Sequence, residues 1–191
     1  MFKKVFSKNK PQFKIENSNF SINTNALIGV INHIGEFCWA MDIYTNEGNF
    51  QANNCAPKFS FTDLEPAQQF KKDKEFIWQN TSAYNKTTES WVGSLYVFDS
   101  QFFKCSINLK KLSSSEFTTK INGEVNINWE NEEGENFVPF SISTQLKFNG
   151  ILSEIDNKEE ALKIASNYLE TKDLVWKPKN IDEGKYDNWL V

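Results

Sequence analysis

Apolar and polar residues alternate along most of this chain, and a period of two marks strands that bury one face. Residues 12–23, "QFKIENSNFSIN", carry Phe13, Ile15, Phe20 and Ile22 around an Asn-Ser-Asn turn, which predicts a hairpin. Two further runs lie in "ALIGVINHIGEFCWAMDIYTNEGNFQANN". There the turn "NEGN" at 46–49, between "FCWAMDIYT" and "FQANN", predicts a second hairpin. From Ser90 the same period governs "WVGSLYVF", "FFKCSINLKKL", "EFTTKINGEVNINWE" and "NFVPFSISTQLKFNGILSEI". Val125, Ile127 and Trp129 point one way, and Asn122-Gly123 reads as a tight turn or bulge. Pro139 has no N–H to give a ladder, so it marks an edge or a strand start.

Two stretches change to helical spacing. "TDLEPAQQFKKD" predicts a short helix over about 64–73, with Thr62 or Asp63 as N-cap and Pro66 early in the run. "DNKEEALKIASNYLET" predicts a longer one, with Asp156 and Glu159 spaced as a capping box. Ala161, Leu162, Ile164, Ala165, Tyr168 and Leu169 form its single apolar stripe, which must bury against a sheet. The expected fold class is therefore α+β: a predominantly antiparallel β-sheet with a C-terminal helix packed on one face.

Length and composition fit one domain over residues 1–191. Residues 1–11 read as a basic, flexible N-terminal segment; 172–191 read as a docked C-terminal tail holding Trp176 and Trp189. Seventeen Phe, six Trp and five Tyr supply a core, each ring able to bury about 150–250 Å². The three cysteines, Cys38, Cys55 and Cys105, are odd in number and share no CxxC spacing, which suits a reducing compartment. "MFKKVFSKNKPQFK" has the charge of a signal peptide without an apolar stretch behind it, and no window approaches a membrane span. The sequons at Asn80 and Asn85 then read as coincidence in an Asn-rich chain, and the expected location is the cytoplasm.

Charge narrows the partners. All 21 basic residues are lysine, so the planar fork that reads phosphate or guanine is missing. With net charge −4 as well, nucleic-acid binding is not expected. Residues 1–120 hold 14 Lys against 11 acids, whereas 121–191 hold 7 against 14, a net of −7. Such a segment forms either an ordinary solvated surface or an acidic face that steers a basic protein partner.

Candidate chemistry is sparse. In "NWENEEGENFVPF" the four glutamates Glu130, Glu132, Glu133 and Glu135 surround Gly134. Placed at position 6 of an EF-hand loop, Gly134 puts Trp129 and Phe140 at ligand positions, so calcium is excluded there. The loop is a solvated hairpin turn, a docking patch for a partner, or a pair of carboxylates for hydrolysis. His33, the one histidine, is five residues from Cys38, which on a continuous strand puts them on opposite faces. No metal set, cofactor loop or nucleophile motif is present, so no catalytic, cofactor or metal residue is assigned. Trp39, Tyr84 and Trp91 are either core rings or a ligand platform on a β-surface.

"GSLYVFDSQFFKCSINL" and "VNINWENEEGENFVPFSISTQLKFNG", roughly residues 90–150, resemble small bacterial proteins of the toxin-immunity kind. The resemblance is one of type: acidic, β-rich, with a terminal helix. It implies a cytosolic binding protein that occludes a toxin, and it transfers no residue role. Three expectations follow: a non-catalytic protein that meets its partner through an acidic face, a carbohydrate or small-ligand binding β-module, and a hydrolase using paired glutamates.

Overall fold

The computed structural model describes residues 11–64, 75–87, 89–98, 100–101, 103–113, 115–128, 136–179 and 188–191. The strands begin with β1 (Gln12–Ile15), β2 (Ser18–Phe20), β3 (Ile22–Ile31), β4 (Phe37–Thr45), β5 (Gly48–Phe50) and β6 (Asn53–Cys55). Next come β7 (Lys58–Leu64), β8 (Glu75–Ser82), β9 (Tyr84–Asn85), β10 (Ser90–Trp91), β11 (Gly93–Tyr96) and β12 (Ser100–Gln101). The last third holds β13 (Phe103–Lys111), β14 (Glu116–Asn126), β15 (Phe137–Ser153), helix α1 (Lys158–Ser166), β16 (Trp176–Lys177) and β17 (Asn188–Leu190).

The main sheet runs in the order β12-β11-β7-β4-β3-β15-β14-β13-β8, and its pairings are antiparallel except β3 with β15. Alternation does what the sequence requires of it. In β4, Phe37, Trp39, Met41, Ile43 and Thr45 are buried while the residues between them are only partly covered. β13 repeats this with Phe103, Cys105, Ile107, Leu109 and Lys111 inward. The sheet is curled into a half-barrel. Four strands separate β7 from β13 in the sheet order, yet Phe59 and Phe103 meet at 5.3 Å between ring centroids. Phe140 of β15 lies 6.2 Å from Phe59 and 6.1 Å from Phe103, completing this ring cluster. The carbonyl of Ala83, just past β8, accepts from Val92 N (2.9 Å) and Gly93 N (3.2 Å), tying one edge strand toward β11.

Several sequence expectations change here. The first hairpin forms, but Ile15 opposite Ser18 leaves Glu16 and Asn17 as its turn, with Glu16 at φ 50°. No hairpin spans 46–49: β4 pairs with β3 and β7, and β5 pairs with β6 in a separate ribbon. β4 is flanked on both sides, so its ladder has no room for β5. Thr62 and Leu64 belong to strand β7 rather than to a helix start, and 65–73 lie outside the described residues. Asn122 and Gly123 sit mid-strand, with Gly123 opposite Cys105. Its missing side chain is used for close approach, since a Cβ there would stand 2.2 Å from the Lys104 carbonyl oxygen. Pro139 is the third residue of β15, beyond the last β1 pair, and its carbonyl accepts from Glu16 N at 2.8 Å. Its missing donor thus falls where the ladder has already ended.

The helix starts one residue later than the capping box implies. Asn157 is the N-cap, its Oδ1 accepting from Glu160 N at 3.0 Å. Asp156 is engaged elsewhere: its carboxylate accepts from Lys179 Nζ and from Asn188 Nδ2. Ala161, Ala165 and Leu169 join the buried apolar cluster of the sheet, and Leu162, Ile164 and Tyr168 are partly covered against it. Tyr168 stacks on Phe37 with centroids 4.7 Å apart.

Phe103→Ala should lower stability by about 3–5 kcal/mol, because it empties the ring cluster. Gly123→Ala should cost about 1–3 kcal/mol through its clash with backbone. Urea unfolding checks both, with Ile77→Ala on the exposed side of β8 expected to stay within about 0.5 kcal/mol of wild type.

Candidate functional site

Strand β15 changes partners at Gly150. Along one side β14 pairs with it as far as Lys147, and β17 takes over from Ile151. Gly150 makes the handover at φ +115°, where a Cβ would stand 2.5 Å from the Leu190 carbonyl oxygen. The seam between β14 and β17 is not filled by backbone, and a pocket of about 240 Å³ opens there. Phe117, Phe148, Leu169, Leu174 and Val191 give it apolar walls. Ser115 and Asn149 add polar atoms, and Glu170 and Asp173 stand exposed among its lining residues.

Lys111 also lines the pocket. It is the last inward position of β13, and the residue is only 8% exposed. The adjacent Lys110 faces outward and pairs with Glu75 at 3.9 Å. Among the described residues no carboxylate is within ion-pair reach of Lys111. Its methylene stem packs among apolar side chains while its ammonium has no ion-pair partner among those residues, which leaves that charge available to an anion in the pocket. Sequence reasoning missed the site, although the signal was present: period two in "FKCSINLKK" places Lys111 on the face of Ile107 and Leu109.

The wall at Val191 is held by a satisfied polar knot. Asn188 is 3% exposed. Its amide donates to Asp156 Oδ1 at 3.0 Å and to the carbonyls of Ile155 (3.3 Å) and Ser153 (3.4 Å). Its own oxygen accepts from Lys179 N at 2.9 Å. Beyond it, Val191 and Val175 exchange backbone hydrogen bonds of 3.1 and 2.7 Å.

The residues singled out from sequence fall elsewhere. Glu130, Glu132, Glu133 and Glu135 lie outside the described residues. Trp39 is wholly buried, its ring 6.1 Å from Phe117 and 6.0 Å from Phe148, so it backs the pocket wall and cannot serve a surface platform. Tyr84 and Trp91 do meet, edge to face at 5.5 Å, across β9 and β10, with Trp91 54% exposed. His33 Nδ1 is 3.4 Å from Glu154, and Cys38 donates to the Thr62 carbonyl, so the structure does not join them. Burial pushes the Cys105 thiol up to about 12. Among the described residues no three metal-binding side chains cluster, and no helix is long and apolar enough to cross a membrane. Glu170 and Asp173 share a pocket, but both are exposed, whereas paired-carboxylate hydrolysis requires one acid in an apolar setting.

No family model, curated protein or solved structure matches this chain.

Hydrogen bonds from Lys179 and Asn188 hold the Asp156 carboxyl below its ordinary value of 3.8. A depressed folded value means that its contribution is present above about 3.8 and fades as pH falls through the folded value. The side chain is 67% exposed, so solvent keeps that contribution small. Asp156→Asn should therefore flatten the loss of stability below pH about 3.8 and leave its slope near pH 7 unchanged, as read from melts across pH.

Proposed function

We propose that this chain is a non-catalytic binding protein that takes a small ligand into the pocket at the β14–β17 seam. The supporting observation is Lys111, a largely covered lysine lining a space whose other buried walls are apolar. Pockets that combine apolar walls with a few fixed polar groups are the usual form of small-ligand sites. In this reading the helix packs on one face of the curled sheet, and the segment after it, Leu169 to Leu174, forms an outer wall. The three cysteines form no disulfide, in keeping with a cytoplasmic site of action.

Leu174→Trp should fill the pocket from its partly covered outer wall without disturbing the core. A ligand-observed NMR screen of small amphiphiles should then give hits on wild type that vanish in the variant, with its melt unchanged. Identical hits in both proteins would exclude the pocket.

A second reading keeps a protein partner of the immunity kind. It is favoured by the net charge of −7 on residues 121–191, which would attract a basic surface. Replacing Glu130, Glu132, Glu133 and Glu135 together with Gln should weaken capture of a basic protein encoded beside this chain by about tenfold or more. Unchanged affinity would clear those four side chains of a docking role.

A further inference from the structure

Resting on the pocket reading above, we propose that the ligand is a singly charged amphipathic acid, with its carboxylate on Lys111 and a short apolar tail along the aromatic wall. Lys111 is the one cation among the lining residues, and it is the last inward position of β13. An arriving carboxylate meets this ammonium, which has no ion-pair partner among the described residues, through a charge-assisted hydrogen bond. Ser115 and Asn149 stand among the lining residues as further donors for the same head group.

The remaining walls set the rest of the ligand. Phe117 and Leu169 are buried, and Phe148 and Leu174 are partly so, which leaves an apolar surface for a tail. The volume of about 240 Å³ lies below the roughly 300–1,000 Å³ of sites for drug-sized molecules, so the tail is short. Glu170 and Asp173 select against a second negative charge, because a dicarboxylate or a doubly ionised phosphate would meet like charge as it enters. One cation to pair with a head group and two acids to repel a further charge thus favour a monoanion.

Calorimetric titration with hexanoate, 1-hexanol and adipate distinguishes the possibilities, using wild type, Lys111→Met and Leu174→Trp. Methionine matches the length of the lysine stem and keeps its apolar packing, so the variant should melt close to wild type. Wild type should bind hexanoate in preference to hexanol and adipate. Lys111→Met should lose hexanoate affinity by about ten- to a hundredfold and keep its affinity for hexanol. Leu174→Trp should lose both. If hexanol binds wild type as well as hexanoate does, and Lys111→Met changes neither, the pocket stands and the monoanion assignment falls. If none of the three binds wild type, or all bind Leu174→Trp unchanged, the pocket reading itself falls and this proposal with it.

Discussion

One strand has to satisfy four neighbours. β15 runs 17 residues and pairs with β1 and with β14 as far as Lys147, then with β3 and β17 toward its end. No straight ladder can make that exchange, because the partners approach from different directions. The register against β3 slips between Phe148 and Ile151, and Gly150 absorbs the slip in a backbone conformation that side chains rarely adopt. At this slip β17 takes up its place against β15, and the seam between β14 and β17 opens. The pocket is a by-product of changing partners in the middle of a strand.

The inward face of the half-barrel is almost entirely aromatic and aliphatic, which makes its polar members conspicuous. Thr119 and Thr144 sit on the same side and give their hydroxyls to nearby backbone carbonyls at 3.1 Å. Lys111 is different, since a methylene stem can be packed but an ammonium has no described acid to meet. Replacing it by a hydrocarbon would be the simpler way to fill β13. Its presence in the lining of the seam is why the binding reading rests there.

Much of the fold was legible in the sequence, because period-two alternation is a local property. The first hairpin, the long strands after residue 100 and the helix near 160 were all visible from it. What was not legible depends on contacts across the chain. Gly123 looks like a turn until Cys105 is laid opposite it, and "NEGN" looks like a hairpin until β7 occupies the neighbouring edge of β4. Asp156 looks like a cap until Lys179 and Asn188 claim its oxygens. The pocket was hidden for the same reason: Lys111, Phe148 and Leu174 come from separate elements that only the β15 handover brings together. Trp39 was ambiguous from sequence, because alternation gives two faces without saying which one is the interior.

The parallel pairing of β3 with β15 also has a consequence in time. Ala26 lies opposite Lys147 and Ile31 opposite Ser153, while Phe13 of β1 waits for Ile142. Chain closure over such separations carries a large entropic cost before any contact repays it, so folding should be slow for a chain of this size. During synthesis from the N-terminus, β1 and the outer side of β3 emerge long before the strand they pair with. Those strands spend that interval with unsatisfied edges, open to pairing with other chains. The handover strand is therefore also a kinetic gate: production in quantity will depend on how well those early edges are shielded until residues 137–153 arrive.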